Sequence, residues 1–152
     1  MASRLLSRRG VGMRVRDVMT RSLITTSPET SVLDARAVMD KQRIRHLLVT
    51  DEDGELLGLV TDRDIRLNLP SPATTLSVWE MNALLARLCV GQVMTRSVIS
   101  VGPDRDVREA AWIMLDHKIG ALPVRESGRL VGIVTETDLL RAFVGAVTQA
   151  IG

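Results

Sequence analysis

Val18-Met19-Thr20 recurs 75 residues later as Val93-Met94-Thr95, and the register holds far beyond those three residues. Pro28 and Pro103, Val32 and Val107, Ala35 and Ala110, Met39 and Met114, Ile44 and Ile119, and Leu47 and Leu122 keep the same offset. One residue is then lost in a turn, where Asp51-Glu52-Asp53-Gly54 faces the shorter Glu126-Ser127-Gly128. Beyond it Gly58-Leu59-Val60-Thr61 matches Gly132-Ile133-Val134-Thr135, and Asp64 matches Asp138. So many matches in one register make the chain two repeats of one supersecondary unit of roughly 50 residues.

Each repeat reads β-α-β-β-α. Leu23–Thr26 and Val98–Val101 have the composition of short strands and are followed by Pro28 and Pro103. A helix is predicted over 31–42 and again over 106–118, because Val32, Ala35, Val38 and Met39 fall at helical spacing on one face. Ser31 with Asp34, and Asp106 with Glu109, have the spacing of a helix cap. His46–Thr50 and Glu55–Val60 read as a hairpin around an Asp-Gly turn signal. A second helix is expected after Thr61 and after Thr135. Such a unit has one sheet face covered and one bare, so two repeats should pack together in an α/β (α+β) fold.

Between the repeats Leu69-Pro70-Ser71-Pro72 breaks the chain, and a helical pattern resumes over 76–88. There Leu76, Trp79, Leu84, Leu85 and Leu88 favour one side, and Ser77 with Glu80 has capping-box spacing. The tail from Phe143-Val144 through Val147 to Ile151 is amphipathic as well. These two segments lie outside the repeat, so they either close the core or form a contact for a second molecule or a regulated partner. The expected organisation is a disordered basic arm over 1–12, a first unit over 13–68, a linker with a helix over 69–89, a second unit over 90–144 and a helical tail over 145–152.

Composition narrows the function classes. The 152 residues are 45% hydrophobic and 25% charged, which is globular, and long enough to bury a core without a metal or disulfide. With only Trp79, Trp112 and Phe143 as aromatics, that core must come from Val, Leu, Ile and Met. The single Cys89 excludes an intrachain disulfide framework and a cysteine-based zinc site, and its place at the end of an apolar helix marks it as core. No apolar run approaches the roughly 18 residues that cross a bilayer, so a soluble, cytoplasmic protein is expected. The net charge of +2 is misleading, because Arg4, Arg8, Arg9, Arg14 and Arg16 all precede the first acid, Asp17. Without them 15 basic residues face 18 acidic ones, so the basicity belongs to the arm and does not by itself argue nucleic-acid binding. His46 and His117 sit at non-equivalent repeat positions with no metal-ligand spacing around them, and no nucleophile–base pair or Gly-rich phosphate loop is present. No enzymatic activity and no metal are expected.

The chemistry lies in G-x-x-T-x-x-D, which stands twice, over 58–64 and 132–138. The Thr falls where a strand gives way to a helix, so its hydroxyl and the first-turn N–H groups can cradle a phosphate. The Asp three residues on can accept two hydrogen bonds from a vicinal diol such as ribose, and the Gly admits a ligand or another backbone. The same T-x-x-D is also a capping box, which needs no ligand. Occurrence at equivalent positions in both repeats favours the ligand reading without removing the other. Arg63, between Asp62 and Asp64, reads either as a phosphate contact or as a surface ion pair.

V-M-T, the strand ends S-P-E-T (27–30) and G-P-D-R (102–105), K-I-G-A-L-P-V (118–124) and G-R-L-V-G-I-V-T-E-T-D (128–138) resemble paired CBS domains, over about residues 14–142. The linker P-S-P-A-T-T (70–75) further resembles bacterial CBS proteins of the acetoin-utilisation type. The resemblance implies a Bateman module, tandem CBS repeats with pseudo-two-fold symmetry and two clefts that take adenosyl ligands. These are AMP, ADP or ATP, with S-adenosylmethionine or a cyclic dinucleotide in some members, and no covalent cofactor. It implies that Asp holds the ribose, that Thr lies near the phosphate, and that adenine rests on the first strand and pre-hairpin segment of the other repeat. One cleft would then combine Thr61 and Asp64 with Val98, Ile99, Ile119 and Gly120. The other would combine Thr135 and Asp138 with Leu23, Ile24, Ile44, Arg45 and His46. Arg43-Ile44-Arg45-His46 faces Lys118-Ile119-Gly120-Ala121, and its cations make the Asp138 cleft the stronger candidate for a charged nucleotide. The first repeat has Leu48 where the second has Pro123, the residue usual in the family. The expected function is a regulatory module that changes the geometry of its homodimer or of a protein partner; the alternative is a ligand-free dimerisation or scaffolding module.

Overall fold

The computed structural model describes residues 12–70 and 75–151; all of the expected arm but Gly12, residues 71–74 of the linker and Gly152 lie outside them. The helices are α1 (Val15–Val18), α2 (Val32–Gln42), α3 (Asp62–Leu67), α4 (Val78–Arg87), α5 (Val90–Val93), α6 (Val107–His117) and α7 (Glu136–Ile151). The strands are β1 (Thr25–Thr26), β2 (His46–Thr50), β3 (Leu56–Thr61), β4 (Ala121–Glu126) and β5 (Arg129–Thr135).

Packing divides the chain into two units that are offset from the sequence repeats. One is the continuous stretch Leu23–Val98; the other joins the described residues up to Ser22 to those from Ile99 onward. Each V-M-T segment therefore packs with the elements of the other repeat.

In the continuous unit β1, β2 and β3 form a sheet in that order, with β1 parallel to β2 and β2 antiparallel to β3. The hairpin turns where the Asp51 carboxylate accepts from the N–H groups of Asp53 and Glu55, both at 2.9 Å, and Gly54 takes φ +81°. α2 starts at Ser31, whose hydroxyl accepts from Asp34 N–H at 3.0 Å. It ends at Arg43 in the left-handed region. Val32, Ala35 and Met39 of α2 meet Leu47, Val49, Val60 and Ile65 in the core. Leu85 of α4 and Val90, Val93 and Met94 complete it.

The linker helix thus closes the core with Leu85 and Leu88 of the side predicted for it, but not with Leu76 or Trp79. Leu85 is buried and Leu84 and Leu88 are half-buried, whereas Trp79 is exposed. Trp79 sits in the first turn of a helix started by a complete Ser77–Glu80 capping box, two turns from Leu85 on a face that nothing in the unit covers. Cys89 is half-buried as the N-cap of α5, not fully in the core.

In the discontinuous unit β4 pairs antiparallel with β5, over the core of Val15, Val101, Ala110, Met114, Leu122, Val124 and Val134. The strand expected over Val98–Val101 contracts to a single parallel bridge between Val101 and Val124. Val101 N–H donates to the Pro123 carbonyl at 3.0 Å, and Arg125 N–H donates to the Val101 carbonyl at 2.9 Å. The next rung toward Ile99 needs an N–H from Pro123, which has none. Leu48 stands there in the first repeat, and its parallel ladder runs for two pairs, Thr25–Leu48 and Thr26–Val49. Even so, Leu23 and Ile24 remain outside β1.

The cap of α6 also differs from expectation. Asp106 accepts from the N–H of Arg108 at 2.8 Å and from its guanidinium at 2.7 and 3.0 Å, while Glu109 turns to Arg105 at 3.1 Å. The Arg108 guanidinium and N–H hold the Asp106 carboxyl down at about 2. A carboxylate depressed in the folded state stabilises above its unfolded pKa and loses that contribution as pH falls through the folded value. Asp106→Ala is therefore expected to cost about 1 kcal/mol at neutral pH. In urea unfolding that difference from the wild type should shrink as pH falls from about 4 toward 2.

Candidate functional site

Thr61 and Thr135 end β3 and β5, and α3 and α7 begin at the next residue. The Thr61 hydroxyl accepts from Asp64 N–H at 3.0 Å and Asp64 Oδ2 accepts from Thr61 N–H at 2.9 Å. Thr135 and Asp138 repeat both bonds at 3.3 and 2.9 Å, and the Thr135 hydroxyl adds a third to Asp138 Oδ2 at 3.0 Å. Both motifs are thus complete capping boxes. Asp62 N–H donates to the Arg45 carbonyl and Glu136 N–H to the Gly120 carbonyl, each at 3.0 Å. The expected phosphate cradle is therefore half spent, since the first and third N–H groups of each helix already have acceptors.

The cap uses only one carboxylate oxygen. In the second repeat the other, Asp138 Oδ1, lies 3.4 Å from the Thr20 hydroxyl and 3.9 Å from Arg141 Nη1. Asp138 is 7% exposed, a buried carboxylate aimed at hydroxyls, while Asp64 is only half-buried. In the sequence Thr20 stands out only as part of the repeated V-M-T and not as a site residue, 118 residues from Asp138.

The motif glycines serve the backbone. Leu59 and Thr95 exchange N–H···O bonds at 3.0 and 2.9 Å, as Ile133 and Thr20 do at 3.0 and 2.8 Å. Each V-M-T segment thus extends the edge of a sheet, and its methionine lies over the glycine. A Cβ on Gly58 would stand 2.7 Å from the Thr95 carbonyl oxygen and 2.8 Å from Met94 Sδ; on Gly132 it would stand 3.0 Å from the Thr20 carbonyl oxygen and 2.8 Å from Met19 Sδ. The close approach foreseen for these glycines is that of another backbone.

Within the continuous unit Ile44, Arg45 and His46 adjoin Thr61 and Asp64, with His46 paired to Thr61 across the hairpin. Leu23, Ile24 and Val98 belong to this unit as well. Within the discontinuous unit Ile119 and Gly120 adjoin Thr135 and Asp138, with Ala121 paired to Thr135, and Ile99 packs on the core. Arg45 is exposed while Ile44, His46, Ile119 and Gly120 are half-buried. Arg63 is exposed, and the ion pair expected of it is made by its neighbours, Arg66 to Asp62 at 3.5 Å. Among the described residues no cluster of His, Cys, Asp and Glu could hold a metal ion, and no helix is long and apolar enough to cross a membrane.

Comparison with known proteins places this geometry. The family model described as CBS domain matches residues 15–71 and 90–145. A CBS domain-containing protein of Dictyostelium discoideum is 35% identical over 131 residues, covering 86% of this chain and 90% of the relative. The chain also matches L-aspartate semialdehyde sulfurtransferase of Methanocaldococcus jannaschii at 32% identity, but over only 23% of that longer enzyme. Among crystal structures, an acetoin utilization protein from Vibrio cholerae shares 31% identity at TM-score 0.75, covering 93% of this chain and 98% of that one. CBSX2 in complex with AMP shares 32% identity at TM-score 0.74, over 88% and 98% of the two chains. The CBS domain pair of protein MJ0100, in complex with 5′-methylthioadenosine and S-adenosyl-L-methionine, shares 29% identity at TM-score 0.73, over 89% and 98%. With both repeats matched and the T-x-x-D boxes in place, the chain belongs to the CBS domain family and carries a pair of CBS domains.

Proposed function

We propose that this CBS pair is a non-catalytic cytoplasmic regulator that binds an adenosine-containing ligand, AMP, ADP or ATP first and S-adenosylmethionine second. Its response would be a change in the geometry of its homodimer or of a protein partner. The observation that carries the reading is the division of labour in Asp138: Oδ2 starts α7, while Oδ1 faces the Thr20 hydroxyl from a buried position. A ribose diol offers the same donors as that hydroxyl, so it can take the place of Thr20 without undoing the cap. The adenosyl ligands of the two CBS pairs similar to this chain support the ligand class. For adenine and phosphate the proposal keeps the segments named above, Val98, Ile99, Ile119 and Gly120 for one cleft and Leu23, Ile24, Ile44, Arg45 and His46 for the other.

A thermal-shift panel of AMP, ADP, ATP, S-adenosylmethionine and cyclic di-AMP tests it, with Asp138→Ala as control. A ligand present at 100 times its Kd adds about 2.7 kcal/mol, or roughly 5–10 °C at this chain length. A shift of that size, absent from the variant, is the expected result. The complete capping boxes also fit a scaffold that binds nothing, and a panel without any shift would favour that reading.

A further inference from the structure

The two repeats enter their long helices in the same way. In the continuous unit Val32 N–H donates to the Leu88 carbonyl at 2.8 Å, and Val90 and Gly91 donate to the Thr30 and Pro28 carbonyls at 2.8 and 2.9 Å. In the discontinuous unit Val107 N–H donates to the Met13 carbonyl at 2.9 Å, and Val15 and Arg16 donate to the Arg105 and Pro103 carbonyls at 2.8 and 2.9 Å. Each of these residues stands at the repeat offset of 75 from its counterpart. What precedes the lacing differs. Before Leu88 the chain is α4, which packs on α2 and makes with it a groove lined by Ala37, Asp40 and Met81 among others. Before Met13 come Gly12 and then the residues outside the described chain, and α6 carries Trp112 and Leu115 at the places of Ala37 and Asp40. These two side chains are 64% and 67% exposed.

We infer that residues 1–11 of the same chain dock along α6 as α4 lies along α2, with Leu5 and Leu6 over Trp112 and Leu115. The chain is already aimed there, since a Cβ on Gly12 would stand 2.6 Å from Asp106 Oδ2, at the cap of α6. Reach is sufficient. Leu5 and Leu6 stand eight and seven residues before Met13, and Leu115 stands eight residues after Val107, which is bonded to Met13. At about 1.5 Å per helical residue that is roughly 12 Å along α6, and an extended segment spans more. Leu6 is also the repeat counterpart of the groove-lining Met81. Charge suits the same placement. Residues 1–11 hold Arg4, Arg8 and Arg9 and no acid. Asp116, one turn beyond Trp112, is exposed and makes no ion pair among the described residues. Gly10 stands where α4 has the buried Leu85, so the segment has no anchor in the core and holds by this outer face alone. α4 is a fixed part of its unit; its counterpart is a detachable cover over an apolar face.

The docking is independent of the proposed ligand and stands even if no nucleotide binds. Disulfide trapping on the full chain tests it, in a Cys89→Ser background that leaves no other thiol. Leu6→Cys with Leu115→Cys should close a bond within one chain, seen as a faster monomer-sized band that a reductant abolishes. Leu6→Cys with Asp40→Cys, the matching place on α2, should not. Fluorescence supplies a second requirement. In Trp79→Phe the sole tryptophan is Trp112. Acrylamide should quench it about twice as strongly once Leu5→Asp and Leu6→Asp are added, because a carboxylate cannot stay against the apolar face. Failure to trap at position 115, equal trapping at position 40, a covalent dimer in place of the internal bond, or quenching that the two aspartates leave unchanged would each overturn the inference.

Discussion

Gly58→Val is expected to lower the melting temperature by roughly 6–12 °C, and Gly132→Val by a similar amount. A side chain on Gly58 meets the Thr95 carbonyl oxygen at 2.7 Å, an atom that accepts from Leu59 N–H in a residue whose own N–H donates back to the Leu59 carbonyl. The segment must lift from the sheet edge, and overpacking with weakened edge bonds costs about 3 kcal/mol. At this chain length each kcal/mol is worth roughly 2–4 °C. Gly145 provides the contrast: a Cβ there meets nothing within 4 Å on an exposed turn of α7, so Gly145→Ala should gain about 0.5–1 kcal/mol. Calorimetry on the three variants decides the matter. A Gly58→Val protein melting within a degree or two of the wild type would mean that the V-M-T segment is not clamped to the sheet.

For ligand binding the largest effect should come from Asp138. Two hydrogen bonds from a diol to a buried carboxylate are together worth about 3 kcal/mol or more, so Asp138→Ala should weaken AMP binding by roughly 100-fold. The same change removes the cap of α7 and costs about 1 kcal/mol of stability. Asp138→Asn separates the two effects, since its amide oxygen still accepts from Thr135 N–H. That variant should melt close to the wild type and still lose most of its affinity in isothermal titration. If instead it binds AMP as the wild type does, the carboxylate is a cap and nothing more.

Much of this was legible in the residues. The repeat offset, the Ser31 and Ser77 caps, the Asp-Gly hairpin and the Thr61 and Thr135 boxes are local patterns, and the chain obeys them. What stayed hidden is non-local. Two V-M-T segments in register do not say which repeat each packs on, so neither the discontinuous unit nor the hydroxyl at Asp138 could be read. Leu84, Leu85 and Leu88 share with Trp79 the predicted side of the linker helix, but at 100° per residue they lie on the far side of α4 from it, and only their side meets the core. The first strand of the second repeat shortens because of a residue on its partner, Pro123, and Asp106 prefers a guanidinium within reach to the spacing of a capping box.

The discontinuous unit also sets an order of events during synthesis. Val15 is buried against α6, α7 and their sheet, yet α6 starts 92 residues after it in the chain and α7 121. The stretch from Leu23 to Val98 has every partner it needs once Val98 has left the ribosome. α1 and its V-M-T must wait, unpaired, until β5 and α7 arrive. The first described element to be made is thus among the last to be placed, and its docking closes the longest loop in the fold.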